Sequence, residues 1–224
     1  MTEKEKAAAG YLYNPNYDEE LLEEIGKCND LCHEFNQIKP SDRGAQTEIL
    51  KKIFGKMGEC VTVNTPFWCD YGYNTTVGNY FFANHGCQIL DGGKVTFGDY
   101  VFIAPNCIFT TAEHALDAEQ RNEGLEVALP ITIGNNVWIG AGTIVLGGVT
   151  IGDKMRMTAA CLEAVARHGG PRCCKRDSFA ALMQAYRFLK EEAGILLEVS
   201  DRIICSHSSK NRECLKEGCL YYSP

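Results

Sequence analysis

The chain has no apolar run near the ~18 residues that a membrane span requires. It also has no surplus of basic charge: 22 Lys+Arg stand against 29 Asp+Glu, a formal net charge of −7 over 224 residues. The first absence predicts a soluble protein without a membrane partner. The second argues against a general nucleic-acid binder and against attraction to anionic lipid. The opening Met1-Thr-Glu-Lys-Glu-Lys lacks the apolar centre of a secretory signal, so a cytoplasmic setting is expected. In that setting the twelve cysteines read as reduced thiols, not as a disulfide framework. What is present is 45% hydrophobic and 23% charged residues, the balance of a globular chain.

The totals conceal a break. Up to Lys154 there are 11 basic and 21 acidic residues; from Met155 onward there are 11 and 8, so −10 is followed by +3. Eighteen of the 22 glycines precede the break, and six cysteines (161, 173, 174, 205, 214 and 219) follow it. Two unequal pieces are therefore expected.

The first 58 residues carry helical spacing. Leu21, Leu22, Ile25, Cys28, Leu31, Cys32 and Phe35 form one apolar face, and Ala45, Ile49, Leu50, Ile53 and Phe54 a second. Pro40 separates them. Ser41 is the expected N-cap of the second helix, with Asp42 favourable beside its dipole, and Gly55 and Gly58 end it. Beyond Val61 the period becomes six. Phe97-Gly-Asp-Tyr-Val-Phe precedes Ile103-Ala-Pro-Asn-Cys-Ile, and four consecutive units run from Ile133, opened by Ile133, Ile139, Val145 and Ile151. Weaker copies are read back through Tyr73, Asn79, His85 and Asp91. A six-residue period is the signature of a parallel β-helix, with one short strand and a corner per unit and the opening aliphatic pointing inward. The small residue after it is expected to take the positive-φ conformation of the corner. A sandwich would space its turns at about 8–12 residues instead. Between about 110 and 130 the period is interrupted by a polar stretch, Thr111-Ala-Glu-His-Ala-Leu-Asp-Ala-Glu-Gln-Arg-Asn-Glu-Gly-Leu-Glu. A long excursion from a rigid scaffold is usually functional.

Asp70-Tyr-Gly-Tyr-Asn, Phe81-Phe-Ala-Asn, Ile89-Leu-Asp, Ile103-Ala-Pro-Asn, Thr111-Ala-Glu-His and Pro130-Ile-Thr-Ile-Gly-Asn-Asn-Val-Trp-Ile-Gly occur together. In combination they resemble the maltose/galactoside O-acetyltransferase family of hexapeptide-repeat enzymes, over about residues 5–154. The resemblance implies a left-handed parallel β-helix with an N-terminal helical cap, a homotrimer with active sites between subunits, and acetyl transfer from acetyl-CoA to a sugar hydroxyl. It implies His114 as the catalytic general base, with no acyl-enzyme and no metal required. Asp70, Asn84, Asp91 and Glu126 are implied on the acceptor side, with Tyr71 in the same cleft. Glu126 and Arg121 hold the excursion, and a carboxylate near His114 would fix its tautomer and raise its pKa. On the acetyl-CoA side are Asn84, Trp138, Gly140, Ala141 and Ala159. The same residues have plainer readings. Asn84 and Asp91 suit corners, Trp138 suits packing, Gly140 and Ala141 suit the coil itself, and a lone His114 would be a solvated loop residue. His85 reads as structural.

Three departures stand out. Ala115 replaces the proline that follows the histidine in relatives, and Ile25-Gly26-Lys27 stands where relatives carry an arginine. Past Lys154 the family's last coils, which flank the CoA, are replaced by Met155-Arg-Met-Thr-Ala-Ala-Cys-Leu. The expected organisation is a helical cap over 1–58, a β-helix over 59–162 with its excursion at 110–130, and a divergent tail over 163–224. In the tail Phe179, Leu182, Met183, Tyr186 and Leu189 suggest a helix to about Leu197, covering the open coil. Cys205-x-His207 and Cys214-x₄-Cys219 offer zinc donors at a spacing that fits no standard motif. The competing reading of the whole is a β-helix that has lost its CoA-binding coils and acts as a structural or interaction protein. A zinc hydratase on the same fold would need three converging histidines, and the repeats hold only His85 and His114.

Overall fold

The structure, a computed structural model, describes residues 1–157. The expected helix over 179–197, the cysteine and histidine tail and Ala159 lie outside the described residues. Three helices come first: α1 (Glu3–Ala8), α2 (Glu19–Gln37) and α3 (Arg43–Ile53). Thr2 closes a capping box on α1, and Asp18 caps α2 through the Leu21 N–H. The cap of α3 is Asp42, which accepts from the Ala45 N–H, one residue later than the expected Ser41. Either side chain can cap, and the carboxylate is the one within reach of the first turn.

The strands follow at once. The first coil holds β1 (Lys56–Met57), β2 (Thr62–Val63) and β3 (Phe67–Cys69). The next two coils hold β4 (Thr75–Val77), β5 (Phe82–Ala83) and β6 (Cys87–Leu90), then β7 (Val95–Phe97), β8 (Phe102–Ile103) and β9 (Ile108–Thr110). The excursion is a hairpin of β10 (Ala112–His114) and β11 (Glu126–Ala128) around the short helix α4 (Ala118–Asn122). The coil then resumes with β12 (Ile131–Ile133), β13 (Trp138–Ile139), β14 (Ile144–Leu146), β15 (Thr150–Ile151) and β16 (Arg156–Met157). Parallel pairing sorts them into three faces: β1-β4-β7-β12-β15, β2-β5-β8-β13-β16 and β3-β6-β9-β14. The result is a left-handed parallel β-helix with a helical cap, as the six-residue period implied.

Register locates the irregularity. Lys56, Thr76, Thr96, Thr132 and Thr150 align on the first face. Thr62, Phe82, Phe102, Trp138 and Arg156 align on the second. Trp68, Gln88, Ile108 and Ile144 align on the third. Every step from first to second face, and from second to third, is six residues. From third to first the steps are eight (Trp68 to Thr76, Gln88 to Thr96), then 24 (Ile108 to Thr132), then six (Ile144 to Thr150). All extra chain therefore leaves at one edge. Extrapolating backward by six from Phe97 misses the two added residues. The early units open at Val77, Ala83 and Ile89, which are buried, and not at Tyr73, Asn79, His85 and Asp91.

Inward residues alternate with outward ones along each strand, so Val77, Phe97, Ile133 and Ile151 stack on one face and Val63, Ala83, Ile103 and Ile139 on another. The helices close the first coil. Phe35 and Phe54 pack edge-on against Phe67 at 6.2 and 5.7 Å, in one core with Ile49, Leu50 and Ile53. The glycines after the opening aliphatics do not carry the positive φ that was expected of them. That conformation falls two places later, on Cys60, Tyr80, Tyr100, Asn136 and Lys154, with φ of 56–60°. Gly98 is required for a different reason: a Cβ there would sit 2.6 Å from Asn135 Oδ1 and 2.8 Å from the Gly134 backbone in the next coil. The residues between form a ladder, in which the Asn79, Asp99 and Asn135 N–H groups donate to Asp99, Asn135 and Asp153 at 2.7–2.8 Å. Among the described residues no helix is long and apolar enough to cross a membrane.

Two glycine substitutions test this packing in opposite directions. Gly98→Ala must push neighbouring coils apart and is expected to lower stability by at least about 2 kcal/mol. Gly26→Ala, with open space around it in α2, is expected to raise stability by about 0.5–1 kcal/mol through helix propensity. Urea unfolding midpoints of both variants check the pair.

Candidate active site

The edge that takes up all the extra chain builds a cavity of about 370 Å³. Its walls include Asp70, Tyr71, Leu90, Gly92, Thr110 and Ala112 from the coils, His114 and Glu126 from the hairpin, and Pro15, Asn16, Leu22 and Ile25 from the N-terminal segment. The hairpin register sets His114 opposite Glu126. His114 Nδ1 lies 3.6 Å from Glu126 Oε2, while its side chain is 60% exposed and that of Glu126 only 11%. The other carboxylate oxygen of Glu126 accepts from the Tyr13 hydroxyl at 2.7 Å. The backbones of Tyr13 and Glu126 also exchange two hydrogen bonds at 3.0 Å. A buried tyrosine thus fixes a carboxylate, and the carboxylate faces one nitrogen of an imidazole whose other nitrogen is free. Tyr13 was not legible in the sequence, because no spacing links position 13 to position 126.

Arg121 donates to the carbonyls of Ala115 and Leu116, both at 3.2 Å, and Asp117 caps α4. These bonds hold the turn of the excursion. Beneath it lie two acids. Asp91 is 0% exposed. Its oxygens accept from the Tyr71 and Gly72 N–H groups at 2.8 and 3.1 Å and from the Thr75 hydroxyl at 2.9 Å. Burial raises its pKa, and these three donors oppose the rise. Asp91 therefore shapes the turn that presents Asp70 and Tyr71, and it does not itself line the cavity. Asp70 does. Burial first, then the charges of Asp91 and Glu126, push it up to about 7. Tyr71 is buried with its hydroxyl making no hydrogen bond, and burial raises its pKa.

The remaining expected residues are not here. Asn84, Gly140 and Ala141 sit where the second face turns into the third, at the opposite edge of the third face from His114. The Asn84 N–H donates to Ile103 O, and the Ala104 N–H to Ile139 O, so Asn84, Ala104 and Gly140 form one column on that edge. Trp138 stands on the adjoining strand, 41% exposed, with the Arg156 guanidinium 4.5 Å over its ring. Asn84 Oδ1 accepts from the His85 N–H at 2.8 Å, and His85 Nδ1 bonds the Thr65 carbonyl. His85 and His114 are thus on different edges of the chain. The expected residues therefore divide between two edges of the chain: His114, Glu126, Asp70 and Tyr71 on one, and Asn84, Trp138, Gly140 and Ala141 on another.

Comparison with known proteins agrees with this fold. The family description "Maltose acetyltransferase hexapeptide capping motif" matches residues 6–58. A second description, "Family of unknown function (DUF5714)", matches residues 128–222. A Saccharomyces cerevisiae protein that carries an acetyltransferase name is 41% identical over 177 residues, covering 76% of this chain and 89% of its own. A maltose O-acetyltransferase from Clostridium difficile 630 superposes with a TM-score of 0.69 at 44% identity, covering 71% of this chain and 84% of that one. A galactoside acetyltransferase solved in complex with coenzyme A superposes with a TM-score of 0.68 at 38% identity, covering 71% and 79%.

Asp70 makes stability depend on pH. Its pKa is raised from 3.8 to about 7 on folding, so the unfolded chain loses this proton first and stability falls between about pH 4 and pH 7. Asp70→Asn removes that loss. It is expected to match the parent at pH 4 and to exceed it by on the order of 2 kcal/mol at pH 8, read from urea midpoints at the two pH values.

Proposed function

The chain belongs to the maltose/galactoside O-acetyltransferase family and is an acetyltransferase of that type, and from that premise we propose that it moves the acetyl group of acetyl-CoA to a sugar hydroxyl with His114 as general base. The observation that carries this reading is the Tyr13–Glu126–His114 series at the cavity wall. With Nδ1–H turned to Glu126, Nε2 holds a lone pair for the acceptor hydroxyl. As that oxygen attacks the thioester carbonyl, its proton passes to Nε2. The C–S bond then breaks, and the imidazolium returns the proton to the departing thiolate. The products are the acetyl ester and free CoA, with no acyl-enzyme and no metal in the balance. At 3.6 Å, Nδ1 and the carboxylate stand just beyond hydrogen-bond length, a gap that a bound acceptor can close.

Asp70 and the unpartnered Tyr71 hydroxyl supply polar contacts for the acceptor. A carboxyl titrating at about 7 both donates and accepts, which matches a sugar hydroxyl. Asn84, Trp138, Gly140 and Ala141 are assigned to the acetyl-CoA side, and the coenzyme A bound by the galactoside relative supports that assignment for this fold. Because the two half-sites lie on separate edges, one edge of one subunit must meet the other edge of its neighbour. A homotrimer whose three-fold axis runs beside and parallel to the three helices satisfies this for all subunits at once.

The competing reading, a β-helix without catalysis, is favoured by the replacement of the last coils past Lys154. Calorimetry separates the two: a folded trimer with no acetyl-CoA binding supports the second. His114→Ala is expected to lower kcat by about 10²–10⁴-fold with little change in acetyl-CoA affinity. Unchanged transfer to maltose, glucose and thiogalactosides would remove His114 from the mechanism. Mixing refolded His114→Ala and Asn84→Ala chains, each inactive alone, is expected to restore about a quarter of the sites by random pairing across subunits. No recovery in a verified mixed trimer would place both residues of a site on one chain.

A further inference from the structure

Three cysteines that acetyl transfer does not use meet at the seam between α2 and β3. Cys28 and Cys32 are one helical turn apart on the inward face of α2, and Cys69 ends β3 with its side chain turned to the core. Cys69 Sγ lies 3.4 Å from Cys28 Sγ and 3.7 Å from Cys32 Sγ. All three ligand atoms fall within 4.8 Å of one another, and the residues are 4%, 0% and 2% exposed. We propose that Cys28, Cys32 and Cys69 bind one soft cation as a trithiolate, with Cu(I) the ion that this donor set fits.

Donor chemistry carries the choice. Thiolates select soft ions, and among the described residues the group contains sulfur alone, with no histidine or carboxylate completing a fourth position. Zn(II) in closed sites takes four ligands in a tetrahedron, whereas Cu(I) is satisfied by three. Three sulfurs about 2.3 Å from a central ion in one plane stand about 4 Å apart. The 3.4 and 3.7 Å separations need only a few tenths of an ångström of outward movement. Binding forms three Cu–S bonds and releases the three thiol protons to solvent.

The position gives the site a consequence. Cys69 immediately precedes Asp70 and Tyr71, and α2 also carries Leu22 and Ile25 of the cavity wall. A bound ion would pin the helix to the strand directly behind the acceptor pocket. Because the cage is closed, its occupancy adds to folding stability.

The full chain holds nine other cysteines, so the test is a difference. The reduced protein, its Cys28→Ala variant and the exposed-site control Cys60→Ala are titrated anaerobically with Cu(I) against a competing chelator. The parent and Cys60→Ala are expected to bind one equivalent more tightly than Cys28→Ala, by at least about 100-fold, and to gain thermal stability that Cys28→Ala does not. Equal binding by parent and Cys28→Ala overturns the site and leaves the three cysteines as core packing. Zn(II), titrated in parallel, is expected to show no such difference; a difference for Zn(II) and none for Cu(I) overturns the three-coordinate assignment. If Cys28→Ala does not fold, X-ray absorption on the parent with one equivalent of Cu(I) decides. Three sulfurs at about 2.3 Å support the site, and a two-sulfur or nitrogen-containing shell overturns it.

Discussion

Each coil of this molecule lies directly on the next, backbone against backbone, at the spacing of paired strands. That contact dictates the rest. A Cβ at Gly78, Gly98 or Gly134 would enter the neighbouring coil at 2.4–2.6 Å, so these positions admit glycine alone. The corner turns two residues later, and whatever residue falls there must accept a left-handed backbone. Tyr80 and Tyr100 do so and recover part of the cost by stacking at 4.7 Å. The asparagine and aspartate between them receive the N–H groups that a corner would otherwise strand. Two of the three edges are locked by this stacking to six residues per step. Only the third edge tolerates added chain, and the cavity forms there. The location of the candidate site is therefore a consequence of coil stacking as much as of the residues that line it.

At that edge the chain concentrates acid. Asp91 and Glu126 lie close enough to Asp70 to raise its cost of ionisation. Each is handled differently. Asp91 is buried completely but accepts three hydrogen bonds, so its charge shapes a turn. Glu126 is tied to Tyr13 and faces His114. Asp70 lines the cavity, and its pKa is the one pushed up to about 7. Three neighbouring acids thus differ through their partners, and hydrogen-bond count separates them more than sequence context does.

How much of this was readable in advance follows from the range of the interactions. The inward aliphatics, the six-residue period and the isolation of His114 on an excursion are local patterns, and they led to the observed fold. The phase of the early coils was misread because two extra residues at Tyr71–Asn74 and at Asp91–Lys94 leave no periodic trace. The role of the corner glycines was misassigned because close approach to a neighbouring coil cannot be told from positive φ in a string of letters. Tyr13 and the Cys28–Cys32–Cys69 contact depend on segments 113 and 41 residues apart in the chain. They become visible only when the helical cap is seated on the first coil.

The seat of the two half-sites also explains why the break at Lys154 bears unequally on them. The edge with His114, Asp70 and Glu126 is built from the N-terminal segment and the coils up to β12, all upstream of the break. The edge with Asn84, Ala104 and Gly140 takes one residue per coil up to the last described coil. Residues 128–222 match a different family description from the one that matches the cap. On the proposed assignment, the base and the acceptor contacts keep their full structural support. The acetyl-CoA side must draw whatever it lacks from the tail or from a neighbouring subunit. On that assignment acetyl-CoA affinity and chemical competence are separable, because the two sets of residues lie on different edges of the same helix.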